Sequence, residues 1–81
     1  MVKYISTQKV ELDIHNMTAD QAKKYIEQFL NNVNANVKEV CVIHGYTGGT
    51  ILKEMVQKRL KHSKIKGKIK SFNQGITILM L

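Results

Sequence analysis

The sequence predicts a two-layer α+β domain in the order β-α-β-α-β-β, with a four-stranded mixed sheet carrying two helices on one face. Three observations predict it. Val10, Leu12 and Ile14 alternate with polar residues, the period of a half-buried strand. Apolar residues then recur at helical spacing in two separate stretches, as Ala22, Tyr25, Ile26, Phe29, Leu30 and Val33, and as Leu52, Met55, Val56 and Leu60. Two short runs near residues 40–43 and 76–81 are almost wholly apolar, as interior strands are.

The elements follow in order. Residues 1–9 form a polar arm, and residues 10–81 form the domain. Asn16-Met17 ends the first strand. Thr18 opens the first helix: its hydroxyl can accept from backbone N–H groups, and Gln21 stands three residues on, as in a capping box. Asp20, Lys23, Lys24 and Glu27 take the solvent side. Asn31, Asn32, Asn34 and Asn36 end the helix with poor helix formers. Residues 37–43 form a central strand. Gly45, Gly48 and Gly49 mark a loop, and Thr50 caps a second helix reaching about Ser63. Residues 63–72 alternate again, with Lys64, Lys66, Lys68 and Lys70 on one side and Ile65, Gly67 and Ile69 on the other. The isoleucines should meet the helices, so the lysines are expected on the opposite, wet face. Asn73-Gln74-Gly75 is a turn signal before the last strand. Two right-handed crossovers make the first three strands parallel, and the tight turn makes the fourth antiparallel to the third.

Eighty-one residues, 43% of them hydrophobic, suffice for one modest core and exclude a disordered tail. No apolar run is long enough to span a membrane, and the first residues lack the apolar stretch of a secretory signal. The single cysteine, Cys41, lies in an apolar run and reads as a small buried hydrophobe. A cytoplasmic protein without disulfides is the default expectation. Thirteen Lys and Arg oppose six Asp and Glu, a formal net charge of +7, which favours a polyanionic partner such as RNA or DNA. Eight of the thirteen lie between Lys53 and Lys70, where Glu54 alone offsets them.

In parallel strand–helix–strand units, ligands gather beyond the carboxyl ends of the strands. Here His15 follows the first strand, His44 the second, and Asn73 lies in the turn after the third. If the first two strands are neighbours, both histidines can face one gap. Asp13, two residues from His15, shares its sheet face and can fix the tautomer of the ring. Gly45, Gly48, Gly49 and Thr50 lead into a helix N-terminus, where backbone N–H groups attract phosphate. No Lys-Ser/Thr follows the last glycine, so this is not a Walker loop. Lys53 can reach the same anion, and Tyr46 is the candidate for base stacking. The lysines at 64, 66, 68 and 70 are candidates for backbone phosphate contacts. His62 reads as a stabiliser of a helix end. The histidine and cysteine spacing fits no structural zinc site. The metal is unknown; a divalent ion such as Mg or Mn, held by Asp13 with a phosphate oxygen, is one option.

Leu12-Asp13-Ile14-His15 with Met17-Thr18 resembles the LDxH-x-M-T opening of the Smr (small MutS-related) domain, and His44-Gly45-Tyr46-Thr47-Gly48-Gly49-Thr50 resembles its glycine loop. Leu52-Lys53 matches the Leu-Arg that usually follows, and residues 73–77 look like the end of short stand-alone members. The resemblance covers about residues 10–81. It implies a fold like the C-terminal domain of translation initiation factor 3. It also implies binding or endonucleolytic cleavage of DNA or RNA, in some members of messenger RNA on ribosomes. Carried over by position, it makes Asp13, His15, His44, Gly48 and Gly49 the candidate residues. Asn16 replaces the usual glycine after the first histidine, and the loop after His44 is one residue longer than the common form.

The expected function is therefore nucleic-acid binding with phosphodiester cleavage. In RNA, one imidazole would take the 2′-hydroxyl proton and the other would protonate the leaving oxygen. The alternatives are a non-catalytic RNA- or ribosome-binding module and a domain that meets an acidic protein.

Overall fold

The computed structural model describes residues 2–46 and 50–81. Its first strand, β1 (Val2–Tyr4), lies in the segment expected to be an N-terminal arm. It pairs antiparallel with β2 (Lys9–Asp13), which is followed by α1 (Ala19–Asn31) and β3 (Glu39–Ile43). α2 (Ile51–Glu54) runs directly into a wider π turn, Met55–Arg59, where Leu60 N–H reaches back five residues to Met55 O at 2.7 Å. β4 (Gly67–Lys70) and β5 (Ile76–Met80) close the fold. The sheet thus has five strands in the order β1-β2-β3-β5-β4, one more than expected. The added strand covers the edge of β2. All three of its residues are exposed, so it carries no alternation for a sequence pattern to register.

β2 and β3 pair parallel, with Asp13 opposite Ile43, while β5 is antiparallel to both β3 and β4. The helices cover one face. Val10, Leu12, Val40, Val42 and Leu79 from that face pack against Ala22, Ile26 and Leu30 of α1 and against Met55, Val56 and Leu60. Both expected helical stripes face the core, with Tyr25, Phe29, Val33 and Leu52 only partly buried at its margin. The capping box forms with both of its bonds, Gln21 N to Thr18 Oγ1 and Thr18 N to Gln21 Oε1, each at 3.2 Å. The second helix stops at Leu60 rather than Ser63. Thr50 makes no side-chain bond to the backbone there; its hydroxyl faces Glu54 Oε1 at 3.4 Å.

The lysine face is a correction. β5 lies between β3 and β4, so β4 is an edge strand. Lys68 stands opposite buried Leu79 and Lys70 opposite buried Thr77, on the helix side. Ile69 stands opposite Ile78 on the uncovered face. Beyond the reach of the helices, the helix-side positions of an edge strand meet helix ends, where a lysine stem can lie along the protein and its ammonium can meet carbonyls. Lys68 Nζ donates to Leu60 O and Gln57 O, and Lys64 Nζ donates to Leu30 O at 2.7 Å, closing the end of α1. Burial lowers the Lys68 pKa, with Lys61 adding to the effect. Two of the four lysines thus serve the fold, and Ile43, Ile69, Ile76, Ile78 and Met80 line the open face instead.

Lys68→Ala should therefore lower stability by about 1 kcal/mol in urea unfolding, the scale of one hydrogen bond. Lys66→Ala, which removes an exposed side chain, should stay within about 0.5 kcal/mol.

Candidate functional site

Three chain segments meet at the carboxyl end of the parallel pair, as expected. The β2–β3 ladder extends one residue through Ile14 N to Ile43 O at 2.9 Å. His44 N and Gly45 N both donate to Gly75 O, at 2.9 and 3.0 Å, joining the end of β3 to the turn before β5. Gly45 turns the chain with φ +73°, and a Cβ added there would stand 3.5 Å from His15 Cβ.

The two histidines do not open onto one gap. Asp13 is opposite Ile43, so the next pair of positions, Ile14 and His44, falls on the other side of the sheet, toward the helices. Ile14 is 1% exposed and His44 3%, whereas the His15 side chain is 51% exposed. His44 continues the buried series Val40, Val42, and it is enclosed.

Every nitrogen of the buried ring has a partner. Nδ1 lies 2.8 Å from Gly45 O, which can only accept, so Nδ1 carries the hydrogen. Nε2 then accepts from the Thr77 hydroxyl at 2.9 Å, and Thr77 Oγ1 accepts in turn from Gln57 Nε2 at 2.9 Å. This Gln57–Thr77–His44–Gly45 chain runs from the π turn through the core to the glycine beside His15. His44 is therefore enclosed and bonded within the fold, and the two-imidazole proton exchange expected from the sequence has no geometric basis.

His15 is the accessible ring. Its Nδ1 donates to Asp13 Oδ1, and its backbone N–H bonds the same oxygen at 3.2 Å. These contacts lower the Asp13 pKa, the side-chain bond most, against a smaller opposing effect of burial. Nε2 accepts from Asn16 Nδ2 at 3.1 Å. A carboxylate orienting a half-exposed imidazole whose Nε2 is the acceptor is the arrangement of a general base.

The remaining candidates divide. Tyr46 is exposed beside the Gly75 turn. Lys53 is half-buried at the start of α2, and Lys70 is exposed at the near end of β4. Asn73 serves its own turn, its Oδ1 accepting from Gly75 N at 2.8 Å. Lys64 and Lys66 stand at the far end of the sheet, where Lys66 N meets Met80 O at 2.7 Å. Gly48 and Gly49, the expected phosphate cradle, lie outside the described residues. His62 sits away from the site and bonds Asn31 Oδ1 at 2.7 Å. Cys41 is buried, and that burial pushes its thiol pKa up, as befits a packing residue. Among the described residues, no three of His, Cys, Asp and Glu are grouped to hold a metal ion, and Asp13 Oδ1 already serves His15. This donor set does not form a cage for a divalent ion. The sequence pattern does not single out Gln57 or Thr77, and it marks Asn16 only as a departure from the family's usual glycine. Thr77 was the most traceable, being a hydroxyl at a core position of an apolar strand.

A family model of the Smr domain matches residues 12–77. The endonuclease MutS2 proteins of Lactococcus lactis subsp. cremoris strain MG1363 and subsp. lactis strain IL1403 are each 32% identical over an alignment of 85 residues. That alignment covers 98% of this chain and 11% of the length of those relatives. The crystal structure of the Smr domain of Thermus thermophilus MutS2 superposes with a TM-score of 0.77 at 19% identity, covering 88% of this chain and 95% of that one, which shows the shared fold.

Thr77→Val keeps the shape and removes the hydroxyl, leaving the His44 and Gln57 nitrogens unpaired. It should cost about 1–3 kcal/mol in denaturant unfolding, while His15→Ala should stay within about 0.5 kcal/mol. Asp13, with its folded pKa depressed, contributes stability that is present above its ordinary value of 3.8 and lost as pH falls through the folded value. Asp13→Asn should remove that part of the acid dependence in unfolding curves recorded across this range.

Proposed function

The chain belongs to the Smr domain family, and we propose that it binds nucleic acid and cleaves a phosphodiester bond with His15 as general base, oriented by Asp13. The carrying observation is one imidazole standing in water with its Nδ1 hydrogen fixed on a carboxylate. It stands at the carboxyl-end edge of a parallel strand pair, in a chain of net charge +7. The MutS2 relatives are named endonucleases, and this chain corresponds to a small part of them.

With RNA, His15 Nε2 takes the 2′-hydroxyl proton. The 2′-oxygen forms its bond to phosphorus as the bond to the 5′-oxygen breaks, leaving a cyclic phosphate and a 5′-hydroxyl whose proton comes from solvent. Asp13 stabilises the imidazolium that results. Lys53, half-buried at the start of α2, is the candidate cation for the charge on the phosphate. His44 holds Gly45 against the base without touching substrate.

One observation favours binding without cleavage: the Asn16 amide occupies the lone pair that the base would use. A cleavage assay on structured RNA separates the two readings. Under cleavage, His15→Ala loses about 100-fold or more in rate, and Asn16→Gly retains or raises it. Equal rates for wild type and His15→Ala, with binding that weakens steeply as salt rises, would give the binding module instead.

A further inference from the structure

Two large rings stand in water at the same edge as His15. Tyr46 is 53% exposed and Phe72 109%. Isolated exposed apolar residues are common. These two differ because ordered backbone presents both and joins their supports. Around Phe72, Asn73 N donates to Ser71 Oγ at 3.2 Å, Gly75 N to Asn73 Oδ1 at 2.8 Å, and Ile76 N to Asn73 O at 3.1 Å. The turn is thus tied on the far side of the ring and immediately beside it. Before Tyr46, the His44 and Gly45 N–H groups are held on Gly75 O.

The two turns meet at Gly75. A Cβ there would lie 3.3 Å from Gly45 Cα and 3.5 Å from Tyr46 Cδ1, so the close approach uses the missing side chain. Phe72 is three residues from Gly75, which limits its Cα to about 10 Å from that of Gly75. Lys70 precedes the Phe72 turn, and Lys53 lies in the first turn of α2. Rings with free faces beside ammonium groups suit a base and its phosphate, since every base has a π face. Ile51 and, on the open face, Ile69 are also exposed, and half-buried Ile43 and Ile76 lie at this end; the ammonium groups add the charge that an apolar peptide would not use.

We infer that Tyr46 and Phe72 form a stacking platform that selects unpaired nucleotides, as in single strands, loops and bulges, and sets the adjoining phosphate at the His15 edge. The inference rests on the nucleic-acid reading above and adds the substrate class to it. Bases within an intact duplex are already stacked on one another and cannot use the rings without being opened.

The test measures binding of the full chain to a short oligonucleotide carrying 2-aminopurine, as a single strand and as a blunt duplex, at one fixed salt concentration. An acidic peptide is the third probe. The single strand should bind at least about tenfold more tightly than the duplex and quench the 2-aminopurine. Phe72→Ala and Tyr46→Ala should each weaken single-strand binding by about 5- to 100-fold without changing duplex binding, and Phe72→Trp should restore it. Equal affinity for strand and duplex with silent alanine variants would overturn the platform and leave nucleic-acid binding standing. A loss on Phe72→Ala that falls equally on the duplex would also overturn it. Binding of the peptide but of neither nucleic acid would remove the nucleic-acid reading and the platform together.

Discussion

A buried imidazole has to find partners for both of its nitrogens, and that requirement organises the functional edge of this domain. Leaving either nitrogen unpaired costs about 1–3 kcal/mol, a large share of what a small domain has in reserve. His44 meets the requirement by drawing together three parts of the chain: the Gly45 carbonyl after β3, the Thr77 hydroxyl of β5 and, through Thr77, the Gln57 amide of the π turn. The hydrogens can be placed in one consistent way, with each donor facing an acceptor. The turn at Gly45, the contact at Gly75 and the end of β3 are thereby held from inside the core.

What faces water is built on that support. Gly45 carries the carbonyl that His44 holds, and a Cβ added at Gly45 would stand 3.5 Å from His15 Cβ. His15 and His44 are thus linked through one glycine while standing on opposite sides of the sheet. The inner ring ties three segments together, and the outer ring, paired with Asp13, is the one that substrate could reach under the proposed function. A pair of exchanging imidazoles would need both rings in reach of one phosphate, and the strand register forbids it. The cations divide in the same way. Lys64 and Lys68 serve carbonyls at helix ends, while Lys53 stands at the start of α2 and Lys70 at the end of β4.

Much of this was legible in the chain. The capping box at Thr18 and Gln21, the apolar stripes of both helices and the meeting of three connections at one edge follow from local chemistry and chain topology. The side taken by His44 was harder to read. Val40, Cys41, Val42 and Ile43 form an unbroken apolar run, so period two cannot be seen in it; alternation from Val42 would still have sent His44 inward. Alternation alone sends Ile65 and Ile69 toward the helices and the lysines away from them. The fold reverses this because β5 enters between β3 and β4 and moves β4 beyond helix cover. β1 escaped notice because an exposed edge strand has no buried face to leave a pattern. Gln57 and Thr77 are ordinary polar residues until the fold sets them 2.9 Å apart.

The most direct test of this division between an inner and an outer histidine is imidazole nitrogen NMR of the intact chain, before and after adding a short single-stranded oligonucleotide. The account predicts that His44 appears as the Nδ1–H tautomer with a slowly exchanging ring hydrogen and barely shifts on addition, while the His15 resonances move. A His44 ring that exchanges rapidly with water, or that shifts with the oligonucleotide while His15 stays still, would contradict it.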